Sequence, residues 1–300
     1  MRALVVGANG LVGSRLVGAL VQGGAQVTAV ARGAARSTWP GVQFVSAELG
    51  DVAVLEQTVK ASKPDVVINS AAMTDVDGCE REPIKAWIAN VEGVATLARL
   101  SRDAGAHLVH VSTDYVFDGD AGPYDTDALP NPRGVYALTK HMGEQAVRAL
   151  CAPGAWAIAR TAVVYGWPAA GQKNFGSWLV DSFAKGQGVK LFEDQWVSPS
   201  LALNVAQMVA ELAVNKHSGI WHTCGADVVD RVTFGRRLCD VFDFDAKLIT
   251  PSRMADVKLL SPRPAKSGLV VTKTNTLKTK PLTLDESLAG FLAEYRRKTP

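Results

Sequence analysis

Short runs of β-branched and other apolar residues alternate with amphipathic stretches through the first half of the chain. Residues 3–6, 27–31, 42–46, 66–71, 107–112 and 156–164 read as strands. Between them, residues 11–22, 52–62, 83–104 and 134–150 carry the spacing of helices with one buried face. The second of these stops at Lys63-Pro64, where proline disfavours helix in the residue before it. The strands are continuous apolar runs rather than alternating ones, as expected of parallel strands covered on both faces. This rhythm predicts an α/β fold with a Rossmann-type doubly wound parallel sheet.

Beyond about residue 165 the rhythm changes. Turn-rich segments (166–168, 197–200, 261–264) separate helical patterns at 174–185, 201–215, 232–242 and 284–295, with a short strand at 220–224. The division expected is a Rossmann unit at 1–165 and a smaller C-terminal lobe at 166–300. The two are partly interleaved, and the lobe returns at least one strand to the main sheet.

Composition narrows the class. The 300 residues are 47% hydrophobic and 20% charged, which suits a folded core and argues against disorder. A formal net charge of +3 gives no support for a nucleic-acid partner. Cys79, Cys151, Cys224 and Cys239 form no CxxC pair and have no histidine at ligand spacing, so they read as reduced, buried thiols. The first apolar run is soon broken by glycines, Asn9, Ser14 and Arg15, unlike a secretory leader. No stretch of ~18 apolar residues suggests a membrane span. The expectation is a cytoplasmic chain with no membrane partner.

The first strand opens into Gly7-Ala8-Asn9-Gly10-Leu11-Val12-Gly13, and then a helix begins. A GxxGxxG in that setting reads as a dinucleotide site. Gly7 makes the tight turn, Gly10 lets the backbone approach a pyrophosphate, and Gly13 allows close helix–strand packing. The helix N-terminus offers N–H groups and partial positive charge. After the second strand an NAD site usually places a carboxylate for the ribose 2′-OH. Here the chain reads Ala31-Arg32, with Arg36 nearby. A guanidinium suits a 2′-phosphate, so NADPH is expected, with NADH possible. Asp51, after the third strand, is expected near the adenine. Residues 1–165 thus read as an NADP-binding domain.

Tyr136-Ala137-Leu138-Thr139-Lys140 places a phenol and an ammonium four residues apart on one helix face. A neighbouring ammonium favours phenolate, which would make Tyr136 a proton donor and acceptor near neutral pH. Thr113 ends the fifth strand at the carboxyl edge, where open α/β sheets bind ligands. Its hydroxyl can donate to a carbonyl oxygen. Asn90, polar in an apolar stretch, is expected to hold a water or a backbone carbonyl beside the cofactor.

With these elements the chain resembles the extended short-chain dehydrogenase/reductases, and among them the dTDP-4-dehydrorhamnose reductases and their relatives. The most specific stretches are residues 64–69 running into Ala71-Ala72-Met73-Thr74-Asp75-Val76-Asp77, then Ser112-Thr113-Asp114-Tyr115-Val116-Phe117-Asp118-Gly119. Gly143-Glu144-Gln145-Ala146, Asp194-Gln195 with Ser198-Pro199, and Arg263-Pro264 with Ser267 complete the likeness. The resemblance implies hydride transfer to the C4 ketone of a nucleotide-linked 6-deoxy-4-keto sugar. Tyr136 would be the proton donor, Thr113 would stabilise the developing charge, and Lys140 would tune Tyr136 and hold the ribose. Ala71, Ala72 and Met73 would line the cofactor. Thr74, Val76, Tyr115 and Phe117 would line the sugar, and Asn174, Gln195 and Arg263 the nucleotide end.

Two positions depart from the family. Val163 stands where rhamnose-forming members usually carry a tryptophan against the sugar, and Trp167 is a candidate replacement. Arg15 stands in a region where some members carry an acid for a metal-bridged dimer, so no metal is expected. A monomer and a homodimer both remain open. Three alternatives share these residues: a dehydratase or epimerase of the same fold, a non-catalytic NADP-binding regulatory subunit, and a reductase of another ketone. Tyr115 after Asp114, where dehydratases carry a glutamate, weakens the first.

Overall fold

The computed structural model describes residues 1–36, 38–168 and 173–298. Strands β1 (Arg2–Val6), β2 (Gln26–Ala31), β3 (Gln43–Ser46), β4 (Val66–Asn69), β5 (His107–Thr113) and β6 (Trp156–Thr161) come from the first half. They join Gly219–His222 in a seven-stranded sheet with β3 at one edge, then β2, β1, β4, β5 and β6, and Gly219–His222 at the other edge. Every neighbouring pair is parallel. This is the expected Rossmann-type α/β architecture. The strand order reverses beside β1, so a crevice opens at the carboxyl ends of β1 and β4, where such sheets bind ligands.

The helices are α1 (Leu11–Gln22), α2 (Val52–Ser62), α3 (Val76–Arg81), α4 (Pro83–Trp87), α5 (Gly93–Asp103), α6 (Val135–Leu150), α7 (Phe175–Phe183), α8 (Ala202–Val214), α9 (Arg231–Phe242) and α10 (Leu284–Lys298). One sheet face is covered by α1 and α8, through Leu16, Val17 and Leu20 against Val205, Met208 and Leu212. The other is covered by α2, α5 and α6, with Leu55, Val59, Leu97 and Val147 buried. A third core in the second half gathers Phe183, Leu191, Phe234, Leu238, Leu288 and Phe291.

The structure revises four local expectations. Helix 83–104 is interrupted by a π-helical turn at Ile88–Glu92. A further helix, α3, precedes it, capped by Asp75 accepting from the Gly78 N–H at 2.9 Å. The sixth strand ends at Thr161, because Val163 takes a left-handed φ of 41°. That conformation is rare and strained for a β-branched residue. The second half also builds three two-stranded patches: Val164–Tyr165 with Ser200–Leu201, Trp196–Val197 with Val229–Asp230, and Val189–Phe192 with Ile249–Ser252.

Inside the sheet's edge Arg160 and Glu144 are each about 1% exposed and make two hydrogen bonds, at 2.9 and 2.7 Å. The guanidinium also lies 5.0 Å over the Phe117 ring. Removing one partner strands a buried charge. Glu144→Ala is therefore expected to lower the unfolding free energy by about 3–5 kcal/mol in urea denaturation, and the double change to methionines should recover much of it. Equal losses from the single and double changes would show that the stranded charge is not what destabilises the single variant.

Candidate active site

The glycine loop is shaped by a close contact. Gly7 has φ 91°, and a Cβ on Gly13 would lie 2.0 Å from the Gly7 carbonyl oxygen. No larger residue fits there, so α1 is drawn onto the end of β1. Its cap residue, Gly10, brings no side chain to the helix end, and the first turn holds no acid. The N–H groups contributed by Leu11, Val12 and Gly13 are thus left to a ligand anion. Asn9 organises the next loop. Its amide donates to the carbonyls of Arg32 (3.0 Å) and Ala34 (2.9 Å) and accepts from the Arg36 N–H (2.9 Å). Arg32 and Arg36 are exposed, and neither forms an ion pair among the described residues. Asp51 is exposed, and its carboxylate accepts from the Glu48 N–H at 2.7 Å.

Across the crevice runs Ala71-Ala72-Met73. Ala71 N–H donates to Asn69 Oδ1 at 3.1 Å, and Met73 N–H donates to Asn90 Oδ1 at 2.9 Å. Asn90 Nδ2 donates in turn to the Met73 carbonyl (3.1 Å) and to Thr139 Oγ1 (3.2 Å). Asn90 is fully buried on the π-helical turn. It shapes the Ala71–Met73 loop from behind.

Tyr136 is the second residue of α6. The helix start is held by Glu80, which accepts from the Val135 N–H at 2.8 Å and from Ser261 Oγ at 2.7 Å. This carboxylate at a helix N-terminus also complements the dipole. The Tyr136 ring meets Tyr115 edge-on with centroids 5.6 Å apart, and Thr113 is near enough to the phenol to favour its ionised form. Burial pushes the phenol well up from its ordinary value; Thr113 opposes this, while Asp114, Tyr115 and Cys79 add to it. Lys140 shares the buried face, but its ammonium donates to the Val111 carbonyl at 2.8 Å. Burial lowers it to about 8, against the charge of Glu144. The expectation that Lys140 lowers the phenol is therefore corrected for this structure: the ammonium is turned toward Val111, and burial dominates at Tyr136.

The residues expected to line the sugar divide. Tyr115 meets Tyr136; Val76 and Met73 pack against the cluster that Tyr136 forms with Cys79 and Ala86, and Thr74 is exposed. Phe117 is instead a core residue, 1% exposed and stacked on Tyr124 with centroids 4.2 Å apart. The cause is the 3₁₀ turn at Asp114–Val116, which cancels the two-residue alternation of a strand and turns Phe117 away from Tyr115. Trp167 packs on Phe291 and Tyr295.

At the expected nucleotide end, Asn174 is committed to structure. It forms a capping box with Ser177 at the start of α7 and donates to the Gly166 carbonyl at 2.8 Å. Gln195 is buried and accepts from Arg231 Nε at 3.0 Å. Arg263 is paired with Asp77 at 3.0 Å and donates to the Ser261 carbonyl. Arg231, bonded to Gln195, is a candidate site residue that sequence reasoning missed. Its guanidinium lies 4.6 Å over the Phe175 ring, and its charge reaches Tyr115 and Asp114. In the sequence it is only the first residue of a helix after the capping Asp230.

A parallel sheet with a glycine loop after its first strand, a threonine ending β5, and a tyrosine and lysine on α6 is the arrangement of an extended short-chain dehydrogenase/reductase. Residues 1–297 match the RmlD substrate binding domain model. A relative from Haloferax volcanii, the "Probable low-salt glycan biosynthesis reductase Agl14", is 36% identical over 98% of each chain. The dTDP-4-dehydrorhamnose reductase of Mycobacterium tuberculosis is 34% identical over 89% of this chain and 84% of its own. The crystal structure of a dTDP-4-dehydrorhamnose reductase from Clostridium acetobutylicum aligns with a TM-score of 0.84, at 27% identity, over 99% of this chain and 100% of that one. The chain belongs to the RmlD family of dTDP-4-dehydrorhamnose reductase-like proteins, NAD(P)-dependent reductases that act on nucleotide-sugar 4-ketones. Among the described residues no helix is long and apolar enough to cross a membrane.

The Asn90 clamp is testable without substrate. Asn90→Ala leaves the Met73 N–H and carbonyl without these partners. A loss of about 1–3 kcal/mol in unfolding free energy is expected, with weaker dinucleotide binding by calorimetry. Unchanged dinucleotide affinity would separate the loop from the cofactor.

Proposed function

We propose that this chain uses NADPH to reduce the C4 ketone of a nucleotide-linked 6-deoxy-4-keto sugar. The observation that carries this is the buried Tyr136 phenol, which Thr113 lowers and Tyr115 meets edge-on, in a cluster flanked by Val76 and Met73. Residues 1–165 would hold the dinucleotide, and 166–300 would contribute most of the nucleotide-sugar site. The uncapped start of α1 suits the pyrophosphate. Arg32 and Arg36 suit a 2′-phosphate, on a loop that Asn9 holds in place. The nicotinamide supplies the hydride when bound. Tyr136 protonates the ketone oxygen as charge develops there, and the Thr113 hydroxyl donates to that oxygen and stabilises the charge. A ribose hydroxyl beside Lys140 would share the ammonium now held by Val111. Arg263, Arg231 and Gln195 suit the diphosphate and base. Val163 makes a sugar other than the rhamnose precursor the leading candidate.

The test follows NADPH oxidation with a panel of nucleotide 4-keto-6-deoxy sugars. Tyr136→Phe should lower kcat/KM by about 10²–10⁴-fold, the usual worth of a positioned proton donor. Turnover unchanged by that substitution would remove Tyr136 from the chemistry. Tight NADPH binding without turnover on any sugar would favour a regulatory subunit. Arg32→Asp should raise KM for NADPH more than for NADH, and equal effects would contradict the 2′-phosphate assignment.

A further inference from the structure

Arg231 stands apart from the other arginines of the fold. Among the described residues, Arg15, Arg99, Arg160, Arg237 and Arg263 are each at least partly buried, and each pairs with a carboxylate. Arg231 is partly buried as well, yet it has no such pair. Its Nε donates to Gln195 Oε1 at 3.0 Å, its face lies on the Phe175 ring, and no described residue accepts from its two Nη groups. A neutral amide and a ring hold the guanidinium in place without cancelling its charge. A cation withdrawn from water in this way is costly until an anion meets it.

Gln195 carries a second unmet group at the same place. It is 2% exposed, and its Oε1 is taken by Arg231. The other end of the amide, Nε2, is buried and has no hydrogen-bond partner among the described residues. The Tyr115 phenol lies near enough to feel that amide, but not in hydrogen-bonding geometry. Arg231 and Gln195 meet because Asp230 pairs with Trp196 in antiparallel register, which sets the next residues of the two strands opposite each other. Buried donors are rarely left unpaired. Two Nη groups and one amide nitrogen at one spot call for a negatively charged partner with several acceptor oxygens.

Position decides which anion. Tyr115 meets the Tyr136 ring edge-on and lies within reach of the Arg231 charge. Ser267 ties the same region together: its hydroxyl donates to Asp114 at 2.6 Å, and its N–H donates to the carbonyl of Trp196, the neighbour of Gln195. Asp114 lies near but forms no ion pair with Arg231, since its oxygens face Ser267 and Thr113. The path from Tyr136 through Tyr115 to Arg231 therefore leads away from the reacting ketone. In a nucleotide-linked 4-keto sugar the group on that far side, beyond C1, is the diphosphate.

We propose that Arg231, presented by Gln195, is the anchor for the diphosphate of the nucleotide sugar, and that Arg263 is a latch. This rests on the reductase reading above and divides the labour between its two arginines. Arg263 has its fork committed, Nη2 to Asp77 at 3.0 Å and Nη1 to the Ser261 carbonyl at 3.1 Å. It closes the late segment onto α3. Arg231 has no carboxylate to give up before it binds. Its Nη groups and Gln195 Nε2 donate to phosphate oxygens, while Gln195 Oε1 and the Phe175 ring keep the fork oriented.

The experiment measures binding of dTDP, UDP and GDP, and of the matching nucleosides, by calorimetry with NADP+ in excess to fill the dinucleotide crevice. Wild type, Arg231→Ala, Arg231→Lys, Gln195→Glu and Arg263→Ala are compared, each checked for folding by thermal melting. Wild type should bind at least one diphosphate, and its nucleoside more weakly. Arg231→Ala should weaken that diphosphate by about 10–100-fold, the usual worth of hydrogen bonds to a charged group. Arg231→Lys keeps the charge but not the fork and should lose less. Gln195→Glu leaves Arg231 in place but hands it a carboxylate, so it should cost as much as Arg231→Ala. Arg263→Ala should lower the melting temperature and weaken the diphosphate less than Arg231→Ala does. Wild-type affinity in folded Arg231→Ala or Gln195→Glu, a larger loss in Arg263→Ala than in Arg231→Ala, or no binding of any of the three diphosphates to wild type would each overturn the anchor. Sugar turnover that Tyr136→Phe abolishes would leave the reductase reading standing in those cases. Diphosphate binding that Arg231→Ala removes, without wild-type turnover on any sugar, would overturn that reading and support the anchor.

Discussion

The contact between Gly13 and the Gly7 carbonyl is the constraint on which the rest depends. It leaves no space for a side chain and fixes the direction in which α1 leaves the sheet. The helix start then faces the crevice beside β1, and its buried stripe, Leu16, Val17 and Leu20, lies on the sheet under α8. One turn further on, Arg15 pairs with Glu294 of α10 at 2.7 Å and donates to the Trp167 carbonyl. The helix proposed to offer its N–H groups to a dinucleotide is thus the one that ties down the C-terminal helix. A small shift of α1 would disturb the glycine loop and the second half together.

Around Tyr136 burial works against charge, and hydrogen bonds set its limits. The phenol is raised and Lys140 is lowered, each because its charged form is costly away from water. The i, i+4 spacing brings the two residues onto one face without making them partners. Lys140 finds the Val111 carbonyl, and Tyr136 lies against Tyr115. Proximity along a helix decides which groups can meet. The carbonyls and hydroxyls at the end of β5 decide which of them do.

Local physics was legible in the sequence, and long-range pairing was not. Helices α1 and α2 have the bounds that their periodicity and breakers imply, and the doubly buried strands announce a parallel sheet. The short patches of the second half were hidden because each joins segments well separated in the chain and depends on register rather than composition. Phe117 was misplaced by one 3₁₀ turn. Asn174 carried a readable signal, an asparagine with a serine three residues on at a helix start, and that signal is a cap. Arg231 carried none, since its meaning comes from Gln195 and Phe175, which only folding brings to it.

The segment 261–267 explains why the site belongs to both halves of the chain. Ser261 reaches Asp77 and Glu80, Arg263 pairs with Asp77, and Ser267 reaches Asp114. Glu80 in turn holds the start of the helix that carries Tyr136. Each of these acids would be costly to bury without the hydroxyl, amide or guanidinium that the late segment brings. That segment in turn is held by the same carboxylates and by Lys266 N–H on the Gly119 carbonyl. A dinucleotide could rest on the first half alone. Holding the start of the Tyr136 helix and the turn after Thr113 in place needs Glu80 and Asp114 to be satisfied, and both are satisfied from the far end of the sequence. The boundary near residue 165 therefore divides the chain but not the chemistry.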